Sequence, residues 1–224
     1  PIFASDQQNI IYVGGGPTII QVDQKWSEDS KKTLGYGYSP QLSYDGSLMA
    51  FNRTIIQPGG PSGIQVLVSR SDGSEVKPVT PLVDGSYSVA PSISPDKTTI
   101  IFEIWPNKGL ATIKTDGTQE QVILNGGHSA RYMPDGKIIY SRGGNLHTMN
   151  VDGSNSRPLT RAPEGIAYTN PVVTRDGKKI YLIGAPIEQL AEFEKQLRIL
   201  RQLPPETLSK ERSYIKTRYT NTRP

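Results

Sequence analysis

No cysteine occurs in the 224 residues, and histidine occurs only twice, as His128 and His147. The first absence excludes disulfides, thiolate metal sites and cysteine nucleophiles, but leaves the compartment open, because a chain without cysteine suits reducing and oxidising surroundings alike. The second leaves little for a metal centre: two histidines with no evident carboxylate partner make a poor ligand set, so no metal or other cofactor is expected. No Gly-x-Ser-x-Gly elbow is present, which closes one hydrolase route. Gly14-Gly-Gly16 and Gly35-Tyr-Gly37 lack the spacing of a phosphate loop and read as turns. No apolar run approaches the ~18 residues of a bilayer span, and no export signal opens the chain. The first residue is Pro1, which leads us to expect a processed form or part of a longer chain.

What is abundant is turn chemistry, with 22 glycines and 18 prolines. Ser43-Tyr-Asp-Gly46, Ser94-Pro-Asp-Lys97, Met133-Pro-Asp-Gly136 and Thr174-Arg-Asp-Gly177 are versions of one phrase, with aspartates 51, 39 and 41 residues apart. An alternating apolar run follows each. Three of those runs end in a second turn, at Ser71-Asp-Gly-Ser74, Thr115-Asp-Gly-Thr118 and Val151-Asp-Gly-Ser154. Asp-Gly flanked by β-rich residues is a strong hairpin signal, since glycine accepts the positive φ the turn demands. A tandem period of roughly 40 residues is that of propeller blades.

By eye the units run 1–38, 39–89, 90–129, 130–169 and a half unit 170–185. The first is degenerate, but Pro1-Ile-Phe-Ala-Ser-Asp6 matches Pro171-Val-Val-Thr-Arg-Asp176. Each unit reads as a meander: a strand ending at the Asp-Gly turn, a second such as 137–141, a third such as 145–150 and a proline-bearing edge strand near 157–160. The repetition of Asp45, Asp96, Asp135 and Asp176 reads as one turn residue per blade, an Asp side chain accepting from the backbone two residues on, and not as a metal or acid–base array. The expected fold is all-β: a propeller of about five four-stranded blades, four and a half visible.

After Pro186 the apolar period changes to 3.6. Ile187, Leu190, Phe193, Leu197, Leu200 and Leu203 mark an amphipathic helix over 186–204, stopped by Pro204-Pro205. A basic extension, 205–224, follows; Lys210, Arg212, Lys216, Arg218 and Arg223 against Glu206 and Glu211 give it most of the formal charge of +4. Residues 213–220 alternate like a strand. They read either as the missing outer strand of the half blade or as an arm that orders on a partner.

The wording Met133-Pro-Asp-Gly136, Val151-Asp-Gly-Ser154 and Arg157-Pro-Leu-Thr160 resembles the TolB-type propeller repeat, over residues 1–185. The resemblance implies an extracytoplasmic, periplasmic propeller that serves as a binding platform for envelope proteins, in a family whose propellers usually have six blades. With no assembled chemistry in view, the chain reads as a non-enzymatic interaction module, an accessory or stabilising subunit of a larger membrane-associated complex, with no nucleic acid partner. Leu197, Leu200, Lys210, Arg212, Tyr214, Lys216, Arg218 and Tyr219 are the candidate partner-binding residues. The competing reading is a small-ligand or glycan site, bound or processed at the channel mouth, where Tyr87, Trp105, Tyr132 and Tyr168 supply aromatic faces.

Overall fold

Each Asp-Gly phrase lies between two antiparallel strands, in the place the sequence assigns it. In the computed structural model the described residues are 4–5, 9–14, 16–106 and 109–189. The chain divides into two units, the larger of residues 1–162 and 168–183, the smaller of 163–167 with 184–224.

Strands β1 (Ala4–Ser5), β2 (Asn9–Gly14), β3 (Thr18–Asp23) and β4 (Lys32–Tyr36) form one four-stranded meander. A second, β5 (Tyr38–Leu42), β6 (Leu48–Ile55), β7 (Gly63–Arg70) and β8 (Lys77–Pro78), and a third, β9 (Tyr87–Ile93), β10 (Thr99–Trp105), β11 (Gly109–Lys114) and β12 (Gln121–Asn125), join into one sheet through a parallel bridge between Ile64 and Tyr87. The fourth comprises β13 (His128–Tyr132), β14 (Ile138–Arg142), β15 (Asn145–Met149) and β16 (Arg157–Pro158). β17 (Ile166–Val173) and β18 (Ile180–Pro186) make a two-stranded sheet. The opening strands begin at Tyr38, Tyr87, His128 and Ile166, slightly ahead of the unit boundaries read from the sequence.

The turns form as the side chains dictate. Asp96 Oδ1 accepts from the Thr98 amide at 3.1 Å and from Ser94 Oγ at 2.6 Å, and Ser94 Oγ in turn accepts the Thr99 amide at 3.0 Å. Asp45 repeats this with Ser43, Ser47 and Leu48, and Asp176 with Thr174, Lys178 and Lys179. A carboxylate receiving such bonds is held below its ordinary pKa. Asp45 is lowered first by Lys97, whose Nζ lies 2.6 Å away on the next meander, and Asp96 first by Ser94.

Strand alternation then builds the core. Ile100 and Phe102 of β10 turn toward the second meander and pack with Ala50, Val66, Val68 and Val79, while Ile101 turns the other way to meet Tyr132, Ile138, Tyr140 and Met149 of the fourth. A third cluster, Ile11, Ile19, Leu34, Met49, Phe51 and Leu67, joins the first meander to the second. Full burial of each such side chain is worth roughly 1.5–3 kcal/mol, so sheet-on-sheet packing between consecutive meanders dominates the stability.

In the smaller unit the Ile187 amide donates to Gly165 O at 2.9 Å, and residues 187–189 are helical. The remainder of the helix expected over 186–204, the extension 205–224 and the candidate strand 213–220 lie outside the described residues.

Candidate functional site

The opening strands share a defect. Ser39, Ala90, Ser129 and Asn170 have φ of 53°, 53°, 54° and 51°, in the left-handed region that costs a residue with a Cβ about 1–2 kcal/mol. They recur at the spacing of the turn aspartates. Strand pairing slips beside three of them, between Tyr38 and Gln41, opposite the step from Ile101 to Glu103, and between His128 and Arg131. Pro40, Pro91 and Pro171 follow three of the four residues, and proline, with no amide to give the ladder, is accommodated at a bulge. Bulges of this kind re-aim side chains.

Opposite each slip the second strand carries a polar residue: Asn52 faces Tyr38, Glu103 faces Val89 and Ser141 faces His128. All three are buried. Asn52 Oδ1 and Ser141 Oγ find no hydrogen-bond partner among the described residues. Glu103 is fully used. Its Oε1 accepts the Ser129 amide at 2.6 Å and its Oε2 accepts Trp105 Nε1 at 3.3 Å, so the carboxylate of one meander fixes the strained amide of the next.

Ser129 is the hub of a polar cluster that spans three opening strands. Its hydroxyl donates to Asn170 Oδ1 at 2.8 Å, and His128 Nδ1 lies 3.2 Å from Ser129 Oγ and 3.5 Å from Thr169 Oγ1. Arg131, two residues on, reaches back to the preceding bulge: its Nη1 donates to Ala90 O at 3.3 Å and Ala130 O at 2.8 Å. Its Nε and Nη2 take no partner among the described residues, and neither is sealed from solvent. Burial pulls the guanidinium below its ordinary pKa, while the Glu103 carboxylate acts in the opposite sense. Because both oxygens of Glu103 are spent on Ser129 and Trp105, the open hydrogen-bonding capacity is mainly that of donors on Arg131 and Asn170. Such a set takes up a carboxylate or another oxyanion.

Of the residues singled out in the sequence, His128 and Trp105 belong to this cluster. Tyr132 does not offer a stacking face: it is sealed in the core between the third and fourth meanders. Tyr87 and Tyr168 are half-buried. His147 packs its ring 5.5 Å from that of Tyr140 and is lowered in pKa by burial, then by Arg142. Leu197, Leu200, Lys210, Arg212, Tyr214, Lys216, Arg218 and Tyr219 lie outside the described residues. The bulge residues, Arg131 and the trio Asn52, Glu103 and Ser141 escape the reading of the sequence. The signal that marks the bulges is the pairs Ser39-Pro40, Ala90-Pro91 and Asn170-Pro171, X-Pro steps inside strands at the repeat spacing.

The sequence matches no family model and no curated protein. Solved structures do match. TolB from Acinetobacter baumannii superposes with a TM-score of 0.65 at 21% identity, over 81% of this chain and 48% of that one. A protein of Agrobacterium tumefaciens described as TolB gives 0.67 at 17% identity, over 83% and 69%. The fold is that of a TolB-type β-propeller. The present chain thus spans about half the length of the first of these TolB structures.

Propeller enzymes are similar as well. A gluconolactonase from Xanthomonas campestris gives a TM-score of 0.59 at 16% identity, over 82% of this chain and 68% of that one. An oligogalacturonate lyase from Vibrio parahaemolyticus gives 0.55 at 15%, over 84% and 58%. These neighbours correct the expectation of a non-enzyme: the TolB-like fold is shared with propellers named for catalysis, so a fold-based exclusion of enzymatic activity does not stand.

Proposed function

We propose that this TolB-like propeller is a protein-interaction module, an accessory or stabilising subunit of a larger extracytoplasmic, membrane-associated complex. The observation that carries the reading is Arg131, a half-buried cation held between two bulged strands with Nε and Nη2 left for an incoming acidic group. Its donors, with the Asn170 amide, suit a carboxylate presented by a partner protein. The amphipathic segment 186–204 and the basic extension 205–224 supply a second contact, through Leu197, Leu200, Lys210, Arg212, Tyr214, Lys216, Arg218 and Tyr219. We assign membrane association to the partners; no helix among the described residues is long and apolar enough to cross a membrane.

Isolation from native membranes in mild detergent, with quantitative mass spectrometry, tests this directly. A constant stoichiometric set of subunits is expected, reduced by Arg131→Ala and by deletion of 204–224. A monomer that carries no subunit refutes the reading. A second reading, a small acidic ligand or glycan at the same bulges, is favoured by Trp105, whose indole is tied to Glu103 in the same cluster. It requires saturable binding of such a compound by the isolated protein, abolished by Arg131→Ala.

A further inference from the structure

Ser129 Oγ holds one proton, and where that proton goes assigns its neighbours. The hydroxyl donates to Asn170 Oδ1 at 2.8 Å, so toward His128 Nδ1, 3.2 Å away, the same oxygen can only accept. His128 Nδ1 therefore carries a hydrogen. Thr169 Oγ1, 3.5 Å from Nδ1, is a second acceptor for it. A neutral imidazole holds a single N–H, which leaves His128 Nε2 with a bare lone pair. Ser129 and Thr169 are both buried, and burial strengthens such a chain of bonds.

The same bond orients Asn170. With Oδ1 turned to Ser129, the carboxamide presents the two N–H groups of Nδ2 elsewhere. Asn170 is exposed and His128 half-buried. Neither Asn170 Nδ2 nor His128 Nε2 takes a partner among the described residues, and Nε2 is not sealed from solvent. The Arg131 guanidinium lies against the carbonyl of Ala130, the residue after Ser129, with Nε and Nη2 open in the same way. The opening strands β13 and β17 thus present a mixed set, with donors on Asn170 and Arg131 and an acceptor on His128. An ionised Asp or Glu side chain answers the donors alone, because a carboxylate has no hydrogen to give Nε2.

We propose that this site selects a carboxylate with an N–H or O–H donor on the adjoining carbon, the carboxylate taken by Arg131 and Asn170 and the donor by His128 Nε2. The His128 ring and the Asn170 amide flank one oxygen, Ser129 Oγ, so they serve neighbouring parts of one ligand, and the adjoining carbon is the nearest place a donor can stand. A plain carboxylate is disfavoured because it leaves the Nε2 lone pair desolvated and unmatched. Two sources share the selected chemistry: the last residue of a partner polypeptide, whose own amide N–H adjoins the terminal carboxylate, and a small α-hydroxy acid. Ser129 is a positioning residue. It sets which nitrogen of His128 holds the proton and which way the Asn170 amide turns. The inference rests on the reading of the Arg131 site as one for an acidic group.

Nuclear magnetic resonance of the isotopically labelled full chain tests the proton and the ligand separately. Long-range proton–nitrogen correlation of the imidazoles at about pH 8, where histidine is neutral, is expected to show His128 as the Nδ1–H tautomer, its signals assigned by their loss in His128→Ala. Ser129→Ala is expected to release that tautomer. Binding is read by shift titration with propionate, L-lactate and N-acetyl-L-alanine, which differ only in the group on the adjoining carbon. Lactate or N-acetylalanine is expected to bind about tenfold more tightly than propionate, the worth of one hydrogen bond; the tighter of the two names the source, hydroxy acid or chain end. His128→Ala is expected to remove the difference while propionate still binds, and Arg131→Ala to weaken all three. Unchanged backbone amide spectra establish that the variants fold. An Nε2–H tautomer in the parent, equal binding of the three acids, or a preference unmoved by His128→Ala overturns the proposal and leaves the acidic-group reading of Arg131 standing. Binding of none of the three also overturns it, while the complex-subunit reading is decided by co-purification.

Discussion

Replacing Gly153 by alanine isolates the closeness of one blade to the next. Gly153 has φ of 84° in the second turn of the fourth meander, and Gly136 has φ of 83° in its first turn. Both are Asp-Gly turns, so both alanine variants suffer the left-handed backbone cost of about 1–2 kcal/mol. Only one suffers more. A Cβ at Gly136 meets nothing within 4 Å, while a Cβ at Gly153 runs into the carbonyl of Ile123 across the blade boundary. Forcing an extra carbon into a packed contact costs about 1–3 kcal/mol. Gly136→Ala should therefore destabilise by about 1–2 kcal/mol and Gly153→Ala by about 2–5 kcal/mol. Urea unfolding followed by tryptophan fluorescence and by far-ultraviolet dichroism gives the two values under identical conditions. The difference between variants cancels the backbone cost and leaves the inter-blade contact. If the two agree to within about 0.5 kcal/mol, the error range for independent sites, the turn does not pack on the preceding blade as described.

Glu103→Ala strands the Ser129 amide and Trp105 Nε1 and should cost about 1–3 kcal/mol, with Glu103→Gln recovering much of it; equal losses in urea midpoints for both variants would contradict the bonding described. Ser141→Ala removes a buried hydroxyl with no partner among the described residues and should raise stability by about 1 kcal/mol, which thermal and chemical unfolding will check. The turn carboxylates Asp45, Asp72, Asp96, Asp116, Asp152 and Asp176 are all lowered from 3.8. The unfolded chain therefore binds protons that the native one does not, and their stabilisation, complete above about pH 5, is lost as pH falls through and below 3.8. Asp45→Asn should show a shallower loss of urea midpoint between about pH 5 and about pH 3 than the parent; an identical slope would exclude Asp45–Lys97 from that dependence.

The meanders are legible in the sequence because their turn chemistry is local: apart from the Asp45–Lys97 ion pair, Asp45, Asp96 and Asp176 bond to residues two positions away, so sequence alone locates them. The bulges are less so. An X-Pro step within a strand announces a break in pairing, but Ser129-Ala130 keeps the left-handed geometry without proline, and there the Ser129 amide is bonded to Glu103 of the preceding meander. The equivalence of Asn52, Glu103 and Ser141 is hidden for a different reason. The turn from Met133 closes on Lys137, whereas that from Ser94 closes on Thr99, so a turn-based alignment is off by one along β14. Tyr132 reads as a stacking face in the sequence and is instead core, because strand alternation points it between blades.

The apolar clusters have a consequence for how the molecule comes apart. Each of the three joins one meander to the next, and none reaches further. Stability is then a sum of couplings between neighbours, as in a linear array of repeats, and not the property of one shared interior. Opening need not be all-or-none. Amide exchange should be slowest in β10, which is packed on both sides, and fastest in β18, whose outward face has no partner strand among the described residues. A ligand that capped that end would lengthen the array by one coupling and slow exchange from there inward.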